Sequence, residues 1–196
     1  MRDLWLWPGQ PDLPGAGNRP AGDGHWDADW KCRVSVANID QNGPFSSFPG
    51  IGRWFSLISS ESITLEFKDR SVELKPGDPG CFFEGGEAPY CRLSGGPAQA
   101  LNLMIRSKAG KGALASLGML EPLSNNQSWW AGNAEQAGIF ANTAGQLFHD
   151  GPDPVAIQAQ SLVWSTESTN KSWRFEAPTE SAFDGAWRIG FFGSPR

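Results

Sequence analysis

An all-β fold is what this sequence predicts, and three observations carry that prediction. Glycine (24 residues) and proline (15 residues) are too frequent for long helices. Apolar and polar residues alternate with a period of two, most strictly in Ile63-Thr64-Leu65-Glu66-Phe67-Lys68. Turn signals recur at short, regular spacing, which is the pattern of a sandwich or barrel. With 39% hydrophobic and 12% aromatic residues the chain can bury a substantial core, so the disordered class is excluded.

Taken in order, the stretch from Pro8 to about Asp29 is rich in Gly, Pro and Asp without a period, and reads as an irregular arm. Lys31 to Ile39 is β-branched and partly alternating, and a further strand begins near Arg53. Ile63 to Lys68 is followed by Val72 and Leu74 in the same style. Lys75-Pro76-Gly77-Asp78-Pro79-Gly80 is a dense turn before Cys81. Cys81–Phe83, Tyr90–Leu93 and Leu101–Arg106 are three more short strands. Ser107 to Gly118 reads as an exposed crossover. Beyond it, strands are predicted at Ser128–Ala131, Gly138–Ala141, Gln146–His149, Val155–Ser165, Ser172–Glu176 and Ala186–Phe192. Strands on both sides of the crossover suggest two similar β modules, 1–106 with the arm and 119–196, joined by 107–118, although no residue-level repeat links the halves.

Sixteen basic against 21 acidic residues leave a net charge of −5, and no run of Lys or Arg is dense enough to neutralise a nucleic-acid backbone. A small anion remains open as a ligand, since local arginines decide that. Three cysteines, Cys32, Cys81 and Cys91, with no CxxC spacing, suit a reducing compartment and read as small buried hydrophobes. The N-terminus breaks at Pro8 before any apolar stretch of signal-peptide or membrane-span length, so a cytoplasmic location without membrane partners is expected.

The most informative stretch runs from Arg33 to Arg106. Gly43-Pro44-Phe45-Ser46 and Phe48-Pro49-Gly50 form a turn-rich loop that can wall a pocket, with Ser46 and backbone N–H groups as donors. In Leu101–Arg106 the period of two places Asn102, Met104 and Arg106 on one face and three aliphatics on the other. If the first face lines a barrel mouth, Arg106 could grip a carboxylate and Asn102 an amide or formyl group. If it faces water, it is an ordinary solvated strand face.

These residues resemble the motifs of the HutD/Ves family: an RVSxA strand at 33–37, a GPFSxFPG loop at 43–50 with Arg53 after it, and a GPxxxLNLMxR strand at 96–106. The chain departs from that pattern at Gly52, Gly86 and Ala100, where relatives tend to carry acids, and near Leu13–Arg19, where they carry a longer N-terminal motif. The resemblance implies a bicupin, two jelly-roll (double-stranded β-helix, RmlC-like) modules in one chain, often dimeric. It implies a role in control of histidine utilisation through binding an intermediate such as formylglutamate or urocanate. Carried over residue by residue, it implies a ligand pocket at Ser46, Phe48, Arg53, Asn102, Met104 and Arg106.

Many cupins hold a metal on three His and a Glu, whereas this chain has two His in all, His25 and His149. No metal, cofactor or catalytic residue is therefore expected, and His149-Asp150 is the only pair that could serve as a general base. Trp129-Trp130, Trp164, Trp173 and Trp187 read as core or subunit interface, with an aromatic cage as the alternative. The expectation is a non-enzymatic cupin that senses or buffers a small carboxylate metabolite, as a homodimer. A metal-independent isomerase or epimerase acting on a sugar or amino-acid derivative is the alternative. A structural homo-oligomer with a vestigial pocket is the third reading.

Overall fold

A computed structural model describes residues 2–7, 30–106, 118–130, 134–149, 153–165, 172–178 and 185–192. Among the described residues nine strands precede residue 107: β1 (Arg2–Trp7), β2 (Cys32–Ile39), β3 (Gly43–Pro44), β4 (Ile51–Leu57), β5 (Ile63–Glu66), β6 (Ser71–Leu74), β7 (Cys81–Glu84), β8 (Tyr90–Leu93) and β9 (Ala98–Arg106). Eight follow it: β10 (Gly118–Leu123), β11 (Ser128–Trp130), β12 (Gln136–Ala141), β13 (Gly145–Phe148), β14 (Val155–Ile157), β15 (Ser161–Ser165), β16 (Ser172–Glu176) and β17 (Ala186–Phe191). Among the described residues a single 3₁₀ turn, Gly85–Glu87, interrupts the β structure.

The strands form four antiparallel sheets in two sandwiches. In the first module β1-β2-β9-β4-β7 faces β3-β8-β5-β6, and in the second β10-β17-β12-β15 faces β11-β16-β13-β14. With β1 set aside, the two orders are the same: first strand beside last, then third, then sixth. The duplication that leaves no trace in residue identities is therefore present in the topology, and the fold is a bicupin. Each sandwich closes on non-local antiparallel pairs, so its sheets depend on alternation to direct side chains.

Alternation in the long sheets separates a shared core from each module's own. Outward residues of β2 and β9 (Val34, Val36, Leu101, Leu103, Ile105), with Trp54, pack against Leu120, Phe140, Trp187, Ile189 and Phe191 of the second module. This shared cluster joins the modules through buried apolar surface. Inward residues Phe55, Leu57, Ile63, Leu65, Phe83 and Ala100 form the first module's own core. Trp129, Ile139, Leu147, Trp173 and Phe175 form the second's, with the Trp129 and Trp173 rings edge to face at 5.7 Å. At the junction, Gly118 is required: a Cβ there would stand 2.8 Å from both Ile105 and Trp54.

Several expectations are corrected. Val155 to Ser165 is two strands in different sheets, because Gln160 takes a left-handed φ of 57° and turns the chain between them. β10 carries Pro122 inside a strand and was not anticipated. It is an edge strand, so the missing N–H costs no ladder bond on its outer side. β1, also unanticipated, pairs with β2 through a register shift between Asp3 and Trp5. Of the predicted crossover 107–118, only Gly118 lies among the described residues, as does none of the arm 8–29. No helix among the described residues is long and apolar enough to cross a membrane.

Candidate functional site

The inner face of the first module's long sheet is polar where a sandwich interior is ordinarily apolar. Register sets Arg33, Met104, Arg53 and Phe83 side by side across β2, β9, β4 and β7. Two residues along, Ser35, Asn102, Phe55 and Cys81 make the next row. Four polar side chains thus share this face, and all are buried: Arg33 at 4% exposure, Ser35 at 0%, Arg53 at 3% and Asn102 at 0%.

Arg53 is the centre of the group. Its Nη2 donates a 2.9 Å hydrogen bond to Asn102 Oδ1. Its Nε and Nη1, together with Asn102 Nδ2 and Ser35 Oγ, have no hydrogen-bond partner among the described residues. No carboxylate among those residues pairs with it. Instead three phenyl rings, Phe45, Phe48 and Phe83, surround the guanidinium with centroids 5.2, 5.5 and 5.1 Å from Cζ. The ring faces offset part of the charge. Burial, and then the neighbouring Arg33, push the Arg53 pKa down to about 10, so it is still a cation at neutral pH. A buried cation with unused donors suits a small anion above all, since carboxylate oxygens supply both countercharge and acceptors.

The loop that supplies two of those rings is fixed by backbone bonds. Phe45 N donates to Pro89 O at 2.9 Å, and Phe48 N donates to Gly85 O at 2.8 Å. The second contact is possible because residue 85 is glycine; a Cβ there would sit 2.6 Å from Phe48 O. Gly50, at φ +75°, lets the chain turn from this loop into β4, where Arg53 lies. Gly52 has a local reason too, as a side chain there would press on the Phe82 and Trp54 rings at 3.2 Å.

A cavity of about 670 Å³ opens beside Arg53, walled by Phe45, Phe48 and Phe55, with Ser46 and Asp40 towards the solvent. That is the size of a small-molecule site. Of the residues expected at a pocket, Arg53, Phe48 and the exposed Ser46 line it. Asn102 stands behind Arg53 and orients it. Met104 is fully buried with Trp30, Phe48 and Ile51 and supports the loop from beneath. Arg106 is not brought to the cavity: it ends β9, is exposed, and its Cζ lies 5.0 Å from the centroid of the Trp30 ring. The two-residue spacing was read correctly, but the strand carries Arg106 beyond the closed end of the polar face.

Phe45, of the loop expected to wall a pocket, lines the cavity, and Arg33, Ser35, Phe83 and Asp40 complete the site without having been singled out as pocket residues. The signal lay in RVSVANI: its Arg and Ser occupy alternate positions that only the pairing of β2 with β9 sets beside Asn102. The second module offers an instructive contrast. Its inward-facing arginine, Arg188, already holds an internal acid, Glu121, directly across β10 and β17. Its remaining described interior is apolar, built from Trp129, Trp173 and Phe175 with leucine, isoleucine and alanine.

Cys91 lines the cavity but is no nucleophile in waiting, because burial pushes its thiol up to about 11. Cys32 is raised further by complete burial. A thiolate-specific probe at pH 8 should therefore leave both untouched in the native protein and modify the part-exposed Cys81 only slowly, since burial raises its thiol as well, with all three reacting in denaturant. Rapid native labelling of Cys91 would show the cavity wall to be open. His149 is exposed, while His25 and Asp150 lie outside the described residues. Among the described residues, no group of three or more His, Cys, Asp or Glu is arranged to hold a metal ion.

Comparison with known proteins agrees with this architecture. The family model described as HutD matches residues 18–183. A conserved protein of unknown function from Pseudomonas aeruginosa PAO1 is similar at 21% identity and a TM-score of 0.62, covering 82% of this chain and 80% of that one. HutD from Pseudomonas fluorescens SBW25, in a structure described as a formate condition, is similar at 20% identity and a TM-score of 0.55, covering 88% and 84%. Ylba from E. coli is similar at 11% identity and a TM-score of 0.53, covering 85% and 84%. At these identities the likenesses establish the shared fold.

Proposed function

The chain belongs to the HutD family, and from that premise we propose that it is a non-enzymatic cupin that binds a small carboxylate metabolite in its first module. Sensing or buffering an intermediate of histidine utilisation, of the formylglutamate or urocanate type, is the role this reading assigns to it. A cytoplasmic homodimer is the form in which we expect it to act. The observation that carries the reading is Arg53: buried, cationic, with two nitrogens lacking hydrogen-bond partners among the described residues, and facing a cavity of about 670 Å³. A charge left in that condition destabilises the fold, whereas an incoming carboxylate supplies both countercharge and acceptors.

Asn102 accepts from Nη2, leaving the Nε and Nη1 donors available to the ligand. The phenyl rings exclude water and lower the local dielectric, which strengthens the ion pair. Calorimetric titration with formylglutamate, urocanate, glutamate and histidine tests the proposal. Binding of at least one at millimolar or lower concentration is expected, and Arg106→Ala should change its affinity less than about twofold, since an exposed charge outside the cavity contributes little. If none binds, the histidine-pathway assignment loses its support. A large loss on Arg106→Ala would place the ligand at the Trp30 end of β9 instead.

A further inference from the structure

The cavity is charged at both ends, and oppositely. Among its described lining residues there are two charged side chains: Arg53 at the buried end and Asp40 at the exposed end. Between them lie apolar walls, chiefly Ile39, Phe45 and Phe55. Asp40 follows the last residue of β2, and the chain is anchored on either side of it. Asn38 Oδ1 accepts from Gln99 Nε2 at 2.9 Å, and Asn42 Oδ1 accepts from Leu93 N at 2.8 Å. The chain at Asp40 is therefore tied at the rim by its neighbours on both sides.

We propose that Asp40 determines specificity: the pocket takes a small carboxylate whose far end carries a cation or an N–H donor, in preference to a dicarboxylate. The inference rests on the reading that Arg53 holds the ligand's carboxylate. A molecule seated on Arg53 and long enough to cross the apolar walls presents its other end to Asp40. An ammonium or imidazole N–H is attracted there, and a second carboxylate is repelled. Between the two metabolite types considered above, urocanate with its ring N–H fits this arrangement, and the dianionic formylglutamate is disfavoured.

A matched pair of probes tests the effect: δ-aminovalerate and glutarate each have five carbons and one end carboxylate, and carry an ammonium or a second carboxylate at the far end. Titrated calorimetrically into the full chain, δ-aminovalerate should bind roughly fivefold more tightly, the size expected of one exposed charge contact. Asp40→Asn should bring the two affinities within about twofold of each other, with Asp40→Ser as a second variant should the first fold poorly. Equal binding of both probes to the wild type, or a preference that survives in both variants, overturns the role of Asp40, while loss of binding in an Arg53 variant keeps the anion site intact. If neither probe binds the wild type, or if Arg53 substitution leaves their binding unchanged, the underlying anion site itself falls and this inference with it.

Discussion

Arg53→Met is expected to stabilise the ligand-free protein while abolishing its affinity for small carboxylates, two effects of opposite sign from one substitution. Folding lowers the pKa of this side chain from its ordinary value to about 10. That difference corresponds to about 3 kcal/mol against the charged form. Between those two values the unfolded chain binds more protons than the folded one, so stability rises with pH across that window. Below it, including at neutral pH, the full penalty is present. Methionine fills similar space, suits the phenyl rings and removes the charge. Against this stand a lost hydrogen bond, which leaves Asn102 Oδ1 without that donor, and lost cation–π contacts. Those terms offset about 1–2 kcal/mol, leaving a net gain on the order of 1 kcal/mol. Binding should fall by about 100-fold or more, because a carboxylate would then be buried with no partner. Urea unfolding with and without ligand checks both parts. A variant that is much less stable and binds as before would show that Arg53 is a structural residue.

That opposition of stability and function also explains what could be read in advance. Strand alternation was legible wherever one face is apolar, so β5, β8 and β9 emerge directly from Ile63–Glu66, Tyr90–Leu93 and the Leu101, Leu103, Ile105 series. Where a local rule is broken the element was hidden: Pro122 in an edge strand, and Gln160 in a left-handed turn inside an apolar run. The pocket was legible in part. Arg53, Phe48 and Ser46 lie on one continuous loop-and-strand motif, so sequence proximity sufficed. Arg33 and Ser35 lie some 20 residues before Arg53 and far from Asn102 along the chain, and only the β2–β9–β4 register unites them. Arg106 has the right spacing but the wrong depth, a distinction that periodicity does not carry. The missing countercharge for Arg53 is a statement about three-dimensional neighbours and has no one-dimensional counterpart.

The largest loss of stability is expected from Trp187→Ala. Trp187 is 1% exposed at the heart of the cluster shared by the two modules. Its indole Nε1 donates to Ser56 Oγ at 2.9 Å, and Ser56 in turn donates to Asp78 O at 3.0 Å, so one second-module side chain is tied to both β4 and the turn before β7. Truncation removes the largest fully buried side chain in the described structure and leaves a cavity between the sheets. Such a change costs about 3–5 kcal/mol. That is a large share of the 5–15 kcal/mol that stabilises a typical domain. Trp187→Phe should cost less, since it keeps most of the volume and loses only the N–H contact. Because Leu101, Leu103 and Ile105 of β9 back onto the same cluster, the loss reaches the sheet whose opposite face carries Arg53 and Asn102. Unfolding followed by tryptophan fluorescence and by far-UV circular dichroism should therefore give coincident transitions in the wild type. In Trp187→Ala both should move together to lower denaturant, with carboxylate affinity weakened as well. Two separated transitions, with binding intact in the first module after the second has unfolded, would show that the modules are energetically independent and that the shared core serves only to position them.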